Sequence, residues 1–350
     1  MQDGGYSSVA ERRSVAADVV GSKPTSRPKT PGAIFGEVKT PLELSLPRDQ
    51  KHSDSRGIDS ATPAARRPKN QQPEVQQSQG KTPWSIATEL AQAPARLFAG
   101  TSGWAYASWK PGFYPDGVAA KKFLPFYASQ LNSVEVNYSF RQLPSEAMLA
   151  GWLAATPPGF RFSFKAPQRI THFQRLRDCA DAVAEFVDRL EPVRSAGKLG
   201  LLLFQLPPNF KADAARLGEF LALPALGGAN APAIAFEFRH ASWFAEPVAE
   251  FIYGLLERHN AALCIAGTEE FQTPEIHPAS THTSYRLRRG GGYGPEELGD
   301  LARRLVELAR TRDVYVYFKH EDEPTGALNG VAFLHEALRL SSGDAMRRRP

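Results

Sequence analysis

The chain has 350 residues, 42% apolar and 23% charged, an ordinary balance for a folded protein and enough for one large domain plus a tail or for two small domains. It contains no apolar run of about 18 residues that would read as a membrane helix, and Cys179 and Cys264 are too few for a disulfide framework or a zinc pattern. The net charge of +5 divides into 13 basic and 10 acidic residues over 1–95, 26 of each over 96–343, and three Arg against one Asp over 344–350. The body is therefore neutral, which argues against a broad nucleic-acid surface, and any anion site in it must be local.

Residues 1–95 are rich in Pro, Ser, Gln, Lys and Arg and poor in aromatics. Such a segment buries too little apolar surface to offset its ordering entropy, so a disordered tail is expected. A basic arm for a partner or nucleic acid is the functional alternative. The start lacks a basic stretch followed by an apolar one, and Asp3, Glu11 and Asp18 interrupt it, so a cytoplasmic location is expected.

From Arg96 the texture changes. Strands are expected at 97–102, 132–140, 160–166, 199–206, 233–238, 262–267, 282–288 and 313–319. Helices are expected at 119–130, 144–155, 178–190, 213–223, 245–258, 295–310 and 329–340. Eight strands alternating with helices over this length match an α/β, TIM-barrel-like (β/α)8 domain spanning 96–342, with a basic tail at 343–350. The link between strands six and seven lacks a helical pattern, which leaves an irregular or seven-stranded barrel open. A doubly wound sheet is the runner-up, although GTSGW (100–104) is not followed by a dinucleotide-binding glycine pattern.

Strand side chains alternate between two faces. Applied here, the alternation puts Ser133, Glu135 and Asn137 on one face, as it does Arg161, Ser163 and Lys165, then Leu203 and Gln205, then Glu237 and Arg239. In a barrel these polar faces would line the interior, and most of their polar groups sit at carboxyl ends, where barrel enzymes place their sites. The alternative is an internal ion network, Glu135 and Glu237 against Lys165 and Arg239, that merely fills the barrel. Glu237 and Arg239 are expected to pair. Strand seven runs into YRLRRGGGYG, where Arg286, Arg288 and Arg289 precede three glycines and a helix start, a pattern suited to a phosphate. Glu296 and Glu297 in that first turn oppose it.

Lys319, His320, Glu321 and Asp322 follow strand eight. His320 with Asp322, Glu135, Glu237, His172 and His240 could supply nitrogen and oxygen ligands for a divalent metal, but no ligand motif of fixed spacing occurs. The cofactor is thus left open. Trp104, Tyr106, Trp109, Tyr138 and Trp243 could stack a base or sugar, or could pack the rim.

The stretches GTSGWAYASWKPGFYP, NSVEVNYSFRQLP, ITH at 170–172, FQLPPNF, FEFRHASW and YFKHEDEPTGALN resemble the domain of unknown function 72 (YecE-like) family over about residues 97–340. The resemblance implies a TIM-barrel-like fold and no established activity. Through the family's likeness to the endonuclease IV class it suggests, by fold analogy alone, a phosphodiester reaction. Many members carry His-Gly where Arg289-Gly290 stands, an acidic residue at Gly267, and Asn-Asn-Asp at Lys319, His320 and Glu321; these departures weaken a metal-centred chemistry and favour anion binding. The expected function is an enzyme of hydrolase type acting on a phosphate-bearing substrate or nucleic acid. Glu237 or Glu135 would be the general base. Arg239, Lys165 and the strand-seven arginines would hold the anion, and His240, His172 or His320 would donate a proton. A non-catalytic binding module for nucleic acid or a phosphometabolite is the alternative.

Overall fold

Eight strands pair in parallel in the order β1-β8-β7-β6-β5-β4-β3-β2. They are β1 (Leu97–Thr101), β2 (Ser133–Val136), β3 (Arg161–Lys165), β4 (Leu199–Gln205), β5 (Ala233–Glu237), β6 (Ala261–Gly267), β7 (His282–Leu287) and β8 (Asp313–Phe318). This computed structural model describes residues 96–267, 271–279, 281–319 and 323–347. The segment expected to be a tail, 1–95, lies outside the described residues, as do His320, Glu321 and Asp322.

The helices are α1 (Phe123–Gln130), α2 (Glu146–Ala154), α3 (Ala180–Arg189), α4 (Glu191–Ser195), α5 (Ala214–Leu221), α6 (Val248–Arg258), α7 (Pro295–Leu308) and α8 (Thr325–Arg347). Helix α8 starts earlier and runs further than its apolar pattern suggests, taking in most of the segment expected as a basic tail. The link from β6 to β7 shows no helix among its described residues; Gly267 instead pairs antiparallel with Gln272. The irregularity allowed by the sequence therefore lies in a connection, and the sheet keeps eight strands.

Alternation builds two cores. Phe160, Phe162, Phe164, Ile234, Phe236 and Phe238 face outward and pack under the helices. Phe98, Leu201, Leu203, Ala235, Ala262, Cys264, Tyr315 and Tyr317 fill the barrel. Small inward residues on β5 and β6 leave room for the tyrosines of β8. The Tyr317 hydroxyl donates to Ser163 Oγ at 2.6 Å and meets Ser133 Oγ at 2.7 Å.

Side chains stitch the seam between β1 and β2. Among the described residues the backbones meet there at the Ser102–Glu135 bridge. The Asn132 amide donates to Leu97 O at 2.9 Å and accepts from Ala99 N at 2.8 Å. The Tyr127 hydroxyl accepts from Thr101 N at 2.8 Å and donates to Ser133 O at 2.9 Å. These contacts satisfy strand-edge groups that would otherwise be buried without partners.

Strand β2 ends sooner than its sequence pattern. Asn137 takes helical angles (φ −85°, ψ −14°), and Tyr138–Phe140 forms a 3-10 turn. That turn directs Ser139 Oγ onto Val136 O and Lys165 O, at 3.0 and 2.7 Å, and leaves Tyr138 42% exposed.

Candidate functional site

His282, Ser284 and Arg286 are the inward residues of β7, and Arg286 arrives at the carboxyl mouth of the barrel only 1% exposed. An unpaired guanidinium there would be prohibitively costly. It is met by carboxylates from two other strands. Arg286 Nη2 donates to Glu135 Oε1 at 2.6 Å, and Nη1 donates to Glu237 Oε2. Gln205 Oε1 lies 3.5 Å from Nη1. Ser102 Oγ donates to Glu135 Oε1 at 2.7 Å, and Arg239 Nε donates to Glu237 Oε1 at 2.7 Å. Strands β2, β5 and β7 thus contribute one continuous ion network. Its central cation is Arg286, rather than the Lys165 and Arg239 suggested by sequence.

Burial alone would raise both carboxylates. Arg286 overcomes it, holding Glu135 below the usual range and, with Arg239, bringing Glu237 to about 2. Burial pushes Lys165 down to about 8, aided by Arg286 and opposed by the two glutamates. Arg288 is depressed first by burial and then by Arg286. His172 is lowered by burial and by Lys165, Arg239 and Arg175. Two carboxylates therefore face four cations, Arg286, Arg288, Arg239 and Lys165, and the excess is positive.

The mouth also holds buried polar atoms with no hydrogen-bond partner among the described residues: Glu135 Oε2, Asn137 Oδ1, Thr273 Oγ1, Arg286 Nε and Arg288 Nε. Buried polar groups are satisfied in the great majority of folded proteins, so these atoms leave hydrogen-bonding capacity open at the mouth. Beside them a cavity of about 110 Å³ is walled by Pro208, Phe238, Ala266 and Phe271 and lined by Glu237, Arg239 and Thr273.

Other candidates lie elsewhere or are committed locally. Arg289 leaves the Arg286–Arg288 face just beyond the end of β7. It pairs on the surface with Glu297 at 2.8 and 2.6 Å and lies 4.2 Å from the Tyr293 ring centre. The glycine loop, expected as an anion cradle, is engaged locally. Glu297 Oε2 already accepts from Gly294 N at the start of α7, and Gly292 (φ +81°) packs where a Cβ would lie 2.5 Å from Asn329 Oδ1. Trp243 is fully buried, stacked on Phe238 at 4.3 Å with its indole N–H donating to Phe210 O, so it is a packing residue. Trp104 sits edge-on to Trp152 at 5.3 Å, within the outer core. Tyr138 points outward. His240 caps the turn Ala241–Phe244, its Nδ1 accepting from Ser242 N at 3.1 Å. Lys319 is half-buried at the end of β8, its N–H donating to Leu287 O at 2.8 Å.

His172 stands on a π-turn (Arg169–Phe173), edge-on to Phe140 at 4.9 Å; Lys165 Nζ lies 4.1 Å from the centre of the same ring. Ser102, Thr273 and Phe140 were not singled out by sequence reasoning. Only Ser102 carried a signal, as the next inward position after Phe98 and Gly100 on β1. A metal finds little here. Arg286 bridges the two carboxylates that could have shared a cation, and no three His, Cys, Asp or Glu groups converge among the described residues.

A family model described as "Protein of unknown function DUF72" matches residues 98–349. UPF0759 protein YunF of Bacillus subtilis (strain 168) is 26% identical over 268 residues, covering 68% of this chain and 93% of that protein. UPF0759 protein YecE of Escherichia coli (strain K12) is 33% identical over 114 residues, or 33% of this chain and 39% of that protein. A DUF72 family protein from Thermotoga maritima MSB8 has a similar structure, with a TM-score of 0.58 at 26% identity over 68% of this chain and 97% of that one. Another, from Enterococcus faecalis V583, gives 0.58 at 18% identity over 69% and 94%, and shows the shared fold alone. With the family model covering the whole barrel, this chain belongs to the DUF72 family.

Proposed function

We propose that the barrel mouth binds a phosphate-bearing substrate and that the protein is an enzyme acting on it. The carrying observation is the pair of buried, partnerless guanidinium nitrogens, Arg286 Nε and Arg288 Nε, in a site where cations outnumber carboxylates. Arginine N–H groups match phosphate oxygens in geometry and charge. Arg288 and Arg239 would grip the anion, while Arg286, fixed by Glu135 and Glu237, supplies a positive floor that needs no reorganisation during reaction.

Chemistry at the site would need a proton carrier. Glu135 and Glu237 are weak bases while Arg286 holds them ionised. His172, kept neutral by burial and its cationic neighbours, is better suited to accept a proton from attacking water in a phosphodiester or phosphomonoester hydrolysis. A small phosphorylated metabolite is favoured over a nucleic acid, since the cavity is small and residues 96–343 carry no net charge. A binding module that turns nothing over is the second reading. It is favoured by the engagement of both carboxylates with Arg286.

Calorimetric titration with inorganic phosphate, adenosine monophosphate and a short single-stranded oligonucleotide tests the proposal. Wild type is expected to bind the two small anions, and Arg288→Met to weaken both by roughly 10- to 100-fold, the loss of one charge-assisted hydrogen bond. Equal affinity in the two proteins would remove the mouth as the anion site. If phosphate esters are turned over, His172→Gln is expected to stop turnover and retain binding; binding without turnover in wild type would favour the module.

A further inference from the structure

Lys165 differs from Arg286 and Arg239. Arg286 and Arg239 are each paired with a carboxylate, whereas among the described residues Lys165 Nζ has neither an ion pair nor a hydrogen bond and lies over the Phe140 ring. Its position is fixed from below. Lys165 is the last residue of β3, and its carbonyl accepts from Ser139 Oγ in the turn that carries Phe140. A lysine desolvated against an aromatic wall and crowded by other cations is the arrangement that activates an amine as a nucleophile. Here burial, Arg286 and Arg239 act together to bring Lys165 to about 8 from an ordinary 10.5. An appreciable fraction of the amine is therefore uncharged near neutral pH.

His172 packs edge-on against the same Phe140 ring, with Thr171 Oγ1 2.8 Å from its Nδ1. The same hydroxyl donates toward Pro167 O at 3.4 Å. With the hydroxyl proton on that carbonyl, Nδ1–H donates to Thr171, and Nε2 keeps its lone pair for proton transfer.

We propose that Lys165 is an imine-forming nucleophile and that the substrate is an aldehyde or ketone bearing a phosphate. This rests on the anion-binding reading of the mouth and names the substrate class for it. The Lys165 Nζ lone pair adds to the carbonyl carbon while the C–O π pair moves to oxygen. That oxygen takes a proton, giving a carbinolamine. A second proton transfer expels the oxygen as water and leaves the C=N bond on Lys165 as an iminium. One ammonium and one carbonyl become one iminium and one water, with no oxidant or reductant. His172 shuttles the protons. The substrate's phosphate, between Arg288 and Arg239, keeps the iminium from adding net positive charge to an already cationic site. Imine formation turns a carbonyl into an electron sink, so the reaction served is proton abstraction or bond cleavage beside the carbonyl, in place of phosphate-ester hydrolysis, with the phosphate acting as the handle.

Borohydride trapping on the full chain tests this, with pyridoxal phosphate as probe and pyridoxal as the control lacking phosphate. Reduction of any imine fixes it for peptide mapping. Lys165 is expected to be labelled roughly tenfold or more faster than the exposed Lys121, Lys122 and Lys211, because its larger free-amine fraction outweighs its weaker basicity. Pyridoxal is expected to label it far less, and excess inorganic phosphate to suppress labelling. Lys165→Arg is expected to abolish the adduct yet still bind phosphate by calorimetry, which shows the mouth is intact. Labelling of Lys165 no faster than the surface lysines, with phosphate binding retained, would overturn the imine proposal and leave the anion site standing. Labelling that phosphate fails to suppress would also overturn it, because imine and anion would then occupy different places. Loss of both phosphate binding and labelling in wild type would sink both readings.

Discussion

Arg286→Met is expected to destabilise the protein by roughly 3–5 kcal/mol, the cost of leaving buried carboxylates without their counter-ion. Glu135 and Glu237 are both fully buried, and each accepts from the Arg286 guanidinium. The effect carries a distinctive pH signature. In wild type, Glu237 sits at about 2, below its ordinary 4.5, so its contribution is present above the ordinary value and fades as pH falls from there toward 2. Without Arg286, burial lifts Glu135 above its ordinary value, while Arg239 and Arg288 still oppose the rise at Glu237. Groups raised in this way favour the fold at low pH and lose that contribution as pH rises through the lifted value. The deficit of the variant should therefore be greatest near neutrality and narrow toward pH 5. Urea unfolding followed by tryptophan fluorescence at about pH 7 and pH 5 measures both points. A loss under about 1 kcal/mol, or a deficit that widens on acidification, would mean that Arg286 is not the counter-ion holding this network together.

Gly100→Ala is expected to damage the barrel seam by roughly 3 kcal/mol or more, although it adds one methyl group. A Cβ at this position would lie 1.8 Å from the Ser133 carbonyl oxygen and 2.7 Å from its carbonyl carbon and from the Tyr127 hydroxyl. Two of these three are backbone atoms of β2 and cannot rotate away. Relief requires β1 and β2 to separate, which would break the Tyr127 and Asn132 stitches as well. A fall of about 6–12 °C in melting temperature is expected for a domain of this size, with reduced expression. A variant melting within about 2 °C of wild type would show that the strands can part there at little cost.

The barrel was legible because one rule, the two-residue alternation of strands, repeats eight times with apolar helices between. Aromatic triplets such as Phe160, Phe162 and Phe164 marked the outer face, and Ser133, Glu135, Ser163 and Lys165 marked the inner one. Boundaries were less legible where a side chain bends the backbone. Strand β2 looks continuous through Phe140, yet it stops before Asn137.

The site was legible by residue type and not by pairing. Glu135 and Glu237 were recognisable as buried carboxylates, but their shared counter-ion comes from 151 and 49 residues away along the chain. No local pattern encodes such a match. Arg286, Arg288 and Arg289 read as one basic run. The end of β7 and the pull of Glu297 divide them, sending two to the mouth and one to the surface. Trp243 looked like a rim residue because it follows a strand end, and nothing in its neighbours shows that the Phe210 carbonyl waits for its indole N–H.

Crystals soaked in selenate, a phosphate-shaped ion with an anomalous signal, test the mouth most directly. An anomalous peak is expected about 4 Å from Arg288 Nε and Arg286 Nε, where a selenium sits when its oxygens accept hydrogen bonds of about 3 Å, and absent from Arg288→Met crystals soaked alike. A peak only at the Arg289–Gly292 loop, or none in the mouth, would contradict an anion site built on the buried arginines.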